Sequence, residues 1–326
     1  MSRGRLWECL SYHLSMRRAA QLCFTALICA LAATAVFSDQ IPPFFINCVV
    51  ALGSFQVPAP GQPPQWHTEA SGFLYGVPAD SETDPAKHMY SVFLVTNRHV
   101  LKNHTEITVR LNSQKLEDPV REFPVSLKDA DGRELWTSHP NPAIDVSVIQ
   151  LNGPFLRDQG LQSDFFASDQ NVADKAKMKE IGLAIGDNIF VLGFPMGISG
   201  TAQRNYVIAR HGNIARINDV LDSGGTTFLI DAFVFPGNSG GPVVSVPNLT
   251  AISGTKAQDH AYLIGMVQGY LPYKDILASE QTGEARMISE ENSGLAEVIP
   301  VDYINETIKD AQAAQAAQPN SPAPSH

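Results

Sequence analysis

Phe235-Pro236-Gly237-Asn238-Ser239-Gly240-Gly241-Pro242, running straight into Val243-Val244, is the stretch against which the rest of the chain is read. A serine hydroxyl attacks a carbonyl well only when a base takes its proton and N–H donors meet the oxyanion that forms. Glycine at 237 lets the backbone turn so that its own N–H and that of Ser239 point into one small space. Gly240 and Gly241 omit Cβ atoms that would crowd an incoming chain. A Gly-rich hairpin with a solvent-facing serine explains a bare Gly-x-Ser-x-Gly but not this longer run. Ser239 is the candidate nucleophile, with the Gly237 and Ser239 amides as candidate oxyanion donors.

A base has to come from elsewhere. His99 follows the apolar run Val92-Phe93-Leu94-Val95-Thr96, where a strand end presents an imidazole to a cleft. His104, in the polar turn Lys102-Asn103-His104-Thr105, is a poorer candidate. The third member must be a carboxylate that tolerates burial and holds the imidazole in one tautomer. Asp145 is the one acid in Ala143-Ile144-Asp145-Val146-Ser147-Val148-Ile149, and an acid in such a run needs a partner, because a buried unpaired carboxylate is costly. Asp129, Asp131 and Asp164 lie in polar loops and are weaker candidates.

Composition narrows the class. The 326 residues are 44% hydrophobic and 17% charged, enough for two ordinary cores and too little charge for a disordered polyelectrolyte. Lys and Arg number 23 against 33 Asp and Glu, a net charge of −10 that repels phosphate backbones, so nucleic acid is not an expected partner. No Cys/His cluster has zinc-ligand spacing and no Gly-x-x-x-x-Gly-Lys-Ser/Thr loop occurs, so neither a metal nor an organic cofactor is expected. The acidic Glu280, Glu284, Glu290 and Glu291 read as a solvated loop rather than a calcium site.

Residues 1–38 read as a signal peptide or a membrane anchor. An uncharged stretch from Ala19 to Phe37 follows Arg17-Arg18, and Met1 or Met16 is the start. A secreted or periplasmic, cell-envelope location follows, with anchoring through residues 19–37 if the leader stays. Cys9, Cys23 and Cys29 belong to this segment. Cys48 then stands alone, in an apolar run that reads it as a small buried residue.

Short β-branched and aromatic runs recur through the remainder, bounded by Pro, Gly, Asn or Asp: 46–52, 72–77, 90–96, 107–111 and 146–151, then 188–193, 206–209, 214–217, 227–234, 243–246 and 262–269. The expected class is all-β. About six strands in each half point to two six-stranded antiparallel barrels, one over about 44–160 and one over about 180–300, with the polar segment 164–179 as the crossing. Pro300, Asp302 as an N-cap, and Ile304 with Ile308 on one face predict a short docked C-terminal helix. The body is expected over 39–310, and the Ala/Gln then Pro/Ser composition of 311–326 predicts a disordered tail.

The order His99, Asp145, Ser239, with separations of 46 and 94 residues, resembles the chymotrypsin-like serine peptidases, and more closely the bacterial HtrA/Deg-type branch. Smaller echoes are Ala70-Ser71-Gly72-Phe73, Leu192-Gly193-Phe194-Pro195-Met196-Gly197 and Gly294-Leu295 through Ile299-Pro300. The resemblance implies His99 as general base, Asp145 as its orienting partner, Ser239 as nucleophile and the amides of Gly237 and Ser239 as the oxyanion hole. It also implies a primary substrate pocket built from Phe233, six residues before the serine, and from Gln268 and Gly269. An apolar residue at 233 implies cleavage after small or medium apolar side chains. Asn238 stands where digestive trypsins carry an aspartate, so activation by an N-terminal ion pair is not implied. With 18 residues after Ile308, a PDZ domain is not expected. The expected activity is a serine endopeptidase acting on protein or peptide substrates. The competing expectation is a catalytically silent protease-fold module that binds peptides or a partner.

Overall fold

The first strand pairs set the frame. In the computed structural model, which describes residues 41–317 except 83, 85, 86 and 252, Tyr90–Thr96 (β3) lies between Gln65–Pro78 (β2) and Ser147–Leu151 (β7), antiparallel to both. Val49–Gln56 (β1) pairs with β2 and with Glu106–Leu111 (β4), and β4 with Arg121–Ser126 (β5). Thr137–Ser138 (β6) extends β7, and Phe166–Ala167 (β8) adds to β2 in parallel. The N-terminal half is thus an eight-stranded curled sheet, not the closed six-stranded barrel expected. Its ends explain why the ladder stops: β6 is two residues long, and β5 carries Pro124, which has no N–H to donate and suits an edge.

The C-terminal half does close. Asn188–Gly193 (β9), Ile208–Arg216 (β10), Phe228–Asp231 (β11), Pro242–Ser245 (β12), Leu263–Ala278 (β13) and Ala285–Pro300 (β14) form a barrel in the order β10-β11-β14-β13-β12-β9. The stretches 206–209 and 214–217, read as two strands, fall largely on the single β10. The acidic segment read as a loop is partly strand: Glu290 and Glu291 lie on β14, and Lys274 pairs with Glu290 at 2.6 Å. Beyond Tyr270, β13 and β14 run on as a hairpin that leaves Tyr273, Ile276, Leu277, Met287 and Ile288 exposed.

Each half has its own apolar core, and a third core joins them. That shared core brings Phe73, Phe93 and Phe166 from the first half against Leu192, Phe194 and Val244 from the second. The C-terminal helix, Val301–Ala316, seals it with Ile304 and Ile308. Asp302 is not its cap: Pro300 holds that position, and the Asp302 carboxylate accepts the Lys175 N–H at 3.0 Å instead. The helix also continues past 310 into the segment predicted to be disordered, because alanine and glutamine are good helix formers and Ala311 is buried.

Cys48 is fully buried, and burial, then the nearby Asp164 charge, pushes its thiol well up, which leaves it inert. Residues 1–40, with the predicted leader, Cys9, Cys23 and Cys29, lie outside the described residues. Among those described, no helix is long and apolar enough to cross a membrane.

Candidate active site

Strand register brings His99 to Asp145. Because Thr96 at the end of β3 pairs with Ser147 at the start of β7, the residues just after β3 face those just before β7. The chain is then stitched there. Asn97 Nδ2 donates to the Asp145 carbonyl at 2.8 Å, the Arg98 N–H to the same oxygen at 3.4 Å, and the His99 N–H to Asp145 Oδ1 at 2.9 Å. The other carboxylate oxygen, Oδ2, lies 2.5 Å from His99 Nδ1. An ionised Asp145 can only accept, so Nδ1 carries the proton and Nε2 keeps its lone pair. Burial pushes the Asp145 carboxyl up, but its hydrogen bonds and charge contacts with His99, helped by Arg98, outweigh this and hold it below the ordinary value. The imidazole is half exposed, so Nε2 is accessible to a reacting group.

The Ser239 loop is pressed against the same strand end. Gly240 adopts φ +81°, and a Cβ there would stand 2.2 Å from the Ser71 carbonyl and 2.3 Å from Thr96 Oγ1, so only glycine allows the approach. Around it, Ser71 N–H donates to the Ser239 carbonyl at 3.0 Å, Gly240 N–H to Val267 at 3.1 Å and Gly241 N–H to Asn238 at 2.8 Å. Asn238 is buried and its Oδ1 accepts the Phe235 N–H, which makes it an internal brace of the loop. Ser239 Oγ reaches the Gln268 carbonyl at 3.5 Å, and no hydrogen bond joins it to His99 in this conformation.

Two amides flank Ser239 without any acceptor among the described residues, those of Gly237 and Ser239 itself. Two adjoining groups are engaged: the Met196 N–H donates to the Pro236 carbonyl at 2.6 Å, and Ser71 Oγ donates to the Gly237 carbonyl at 2.7 Å. Unpaired N–H groups next to a hydroxyl are suited to an anion that forms there.

Beside Ser239 is a cavity of about 250 Å³ lined by Val234, Phe235, Pro236, Ser239, Gly269 and Tyr270. Of the residues expected to form the pocket, Gly269 lines this cavity, Gln268 contributes its carbonyl near Ser239, and Phe233 stays outside the lining, 55% exposed. Sequence reasoning pointed to the segment before the serine and to the strand 267–270 without singling out Val234, Phe235 or Pro236 as lining, and it missed Ser71, Thr96 and Met196 as supports. Ser71 and Met196 each lie in one of the echoed motifs, Phe235 and Pro236 in the serine motif itself, and Thr96 at the end of the apolar run before His99. A second cavity, about 460 Å³, is lined by Gln114, Arg157, Gln162, Ser163, Asp164 and Phe165 and holds none of these groups. Among the described residues no three His, Cys, Asp or Glu side chains are grouped to hold a metal ion.

Residues 70–248 match the family model described as a trypsin-like peptidase domain. No curated protein matches the sequence. Similar solved structures include the MamO protease domain from Magnetospirillum magneticum, with 14% identity over 81% of this chain and 97% of that one and a TM-score of 0.42. The HtrA-type protease AlgW with decapeptide is 17% identical over 81% of this chain and 64% of its own, TM-score 0.41. The Rv3671c protease in an inactive form is 16% identical over 82% and 92%, TM-score 0.38.

Proposed function

Because this chain belongs to the trypsin-like peptidase domain family, we propose that it is a serine endopeptidase that cleaves peptide bonds through Ser239, His99 and Asp145. The observation that carries the proposal is the pair of unengaged amides, Gly237 and Ser239, on a serine loop packed against the end of the strand that leads to the carboxylate-held His99.

In this reading the Ser239 hydroxyl turns from the Gln268 carbonyl toward His99 as substrate enters, since catalytic hydrogen bonds often tighten only in the substrate complex. Oγ attacks the scissile carbonyl and its proton passes to His99 Nε2. The oxygen that becomes an anion is met by the two amides, and the ionised Asp145 stabilises the imidazolium. His99 gives the proton to the departing amine, leaving an acyl-enzyme on Ser239. Water, deprotonated by the same imidazole, then releases the acid product.

Apolar side chains fit the cavity best at the position before the cleaved bond. Its walls offer no charged side chain to pair with Arg or Lys, whereas each buried methylene gains about 0.8 kcal/mol. We further assign the protein to an exported or envelope location through residues 1–38, which N-terminal sequencing of the exported chain tests.

A fluorophosphonate probe with a peptide substrate assay tests the central reading. Wild-type protein is expected to be labelled and to hydrolyse peptides, and Ser239→Ala to do neither. The missing His99–Ser239 hydrogen bond favours the second reading, a silent peptide-binding module. That reading prevails if wild-type protein binds peptides yet is neither labelled nor active.

A further inference from the structure

Arg110 belongs to β4 of the N-terminal sheet, yet most of its hydrogen bonds cross to the other half of the molecule. Its side chain is 4% exposed. Nε donates to Glu122 Oε1 on β5 at 3.1 Å. Nη2 donates to the carbonyls of Thr201 at 2.9 Å and Ala202 at 3.3 Å, and Nη1 reaches Ser199 Oγ at 3.4 Å. The guanidinium carbon also lies 5.5 Å from the centre of the Trp66 ring. Burying a cation is costly unless its donors are used, and here they hold a loop, residues 198–206, that lies outside the barrel ladder.

That loop is internally tied. Thr201 N–H donates to Arg204 at 3.0 Å, Tyr206 N–H to Ser199 at 2.9 Å, and Gly200 bridges Asn205. Fixing Thr201 and Ala202 therefore fixes Ser199, three residues from Met196. Met196 sits in the turn Pro195–Gly197, where a Cβ on Gly197 would stand 3.0 Å from the Thr68 carbonyl, and its N–H holds the Pro236 carbonyl. In a trans peptide the C=O and the following N–H point opposite ways. While Met196 holds the Pro236 oxygen, the Gly237 N–H faces away from it and stays unpaired. A flip of that one peptide plane would replace the donor with a carbonyl oxygen.

We propose that Arg110 is a positioning residue that keeps the 236–237 peptide in its donor-presenting orientation by anchoring loop 198–206 across the two halves. Its catalytic consequence rests on the endopeptidase reading above, while the mechanical link from Arg110 to Gly237 does not. Asn205 Nδ2 donates to the Arg110 carbonyl at 2.9 Å, and the Asn112 side chain accepts the Asn205 N–H and donates to the Asn205 carbonyl, so the loop keeps a second attachment when the guanidinium is removed. Loosening rather than unfolding is the expected result.

Hydrogen exchange by mass spectrometry, fluorophosphonate labelling rates and steady-state kinetics on the full chain test this, with Arg110→Met, Arg110→Lys and Glu122→Gln. Arg110→Met is expected to raise exchange in 195–207 and in 234–241. It should slow labelling and lower kcat by about tenfold, less than the loss of a whole oxyanion donor, with KM unchanged. Lysine should restore part of both. Glu122→Gln keeps the bonds to Thr201 and Ala202, so it should lower thermal stability without slowing labelling.

The proposal is overturned if Arg110→Met raises exchange only in 106–126, or if labelling and exchange at 234–241 match the wild type. If Arg110→Met does not fold, Arg110→Lys decides by the same criteria. If wild-type protein is not labelled at all, the nucleophile reading falls. Exchange at 234–241 alone then upholds the anchor if it rises and overturns it if it does not.

Discussion

Ser71 and Gly237 are joined across the two halves of the molecule by a hydrogen bond of 2.7 Å from the Ser71 hydroxyl to the Gly237 carbonyl. The same oxygen of Ser71 accepts the Phe194 N–H at 3.0 Å, so one buried hydroxyl braces both the turn before Met196 and the loop before Ser239. Ser71→Ala removes both bonds and leaves a buried amide unpaired. It is expected to cost about 1–3 kcal/mol, read as a lower midpoint in urea with an unchanged slope, and to slow fluorophosphonate labelling. Unchanged stability would show that water satisfies these groups and that the brace is not needed.

Gly240 makes the opposite kind of test, by addition. An alanine there meets two oxygens at 2.2 and 2.3 Å and must hold φ +81°. The clash with the Ser71 carbonyl cannot be relieved by a rotamer change. Gly240→Ala should destabilise by at least about 2 kcal/mol and abolish labelling. Gly254→Ala is the control, since φ is also positive there, +89°, but its Cβ meets nothing within 4 Å.

Asp145→Asn separates charge from shape. The Nδ2 group of an asparagine facing His99 would donate to Nδ1, which forces the imidazole proton onto Nε2, where it blocks base catalysis. In the chymotrypsin-type triad that change costs about 10⁴-fold in kcat, and the same order is expected here. The pH dependence of stability carries the sign of the carboxyl shift. Asp145 is held below its ordinary value, so it binds fewer protons folded than unfolded. Its contribution is present above the unfolded value of about 4 and is lost as pH falls through the folded value. Wild type should therefore lose stability more steeply than Asp145→Asn below about pH 4 in acid titration.

What could be read without coordinates, and what could not, follows from where each signal lies. The strands 90–96 and 188–193 are legible residue for residue, because apolar runs there end at Asn97 and at Gly193-Phe194-Pro195. The first part of β14 is not. Ala-Arg-Met-Ile-Ser-Glu-Glu-Asn at 285–292 buries no face, and it is a strand only because it pairs with β13. Proline hides β5 in the same way. Asp145 stands out as the acid in an apolar run and His99 as a histidine just past one, whereas Ser71 acts on a glycine 166 residues away, a relationship no local pattern encodes. Phe233, six residues back from Ser239, is 55% exposed, while Val234, Phe235 and Pro236 line the cavity beside Ser239.

Gly269 offers a direct probe of that wall. It lines the cavity beside Ser239 and Tyr270, its φ is not in the left-handed region, and a Cβ added there meets nothing within 4 Å. Gly269→Ala should change stability by less than about 0.5 kcal/mol, as expected of an unstrained, open position. Gly269→Val places two further methyl groups in the space a substrate side chain would use. Each methylene that no longer fits forfeits about 0.8 kcal/mol, about fourfold in kcat/KM, so Phe and Leu substrates should lose most and Ala substrates least. A fluorogenic panel on wild type and both variants reads this out. Wild-type preference for Arg or Lys before the cleaved bond, or a Gly269→Val profile that keeps its large residues, would place the specificity pocket elsewhere than between Val234 and Tyr270.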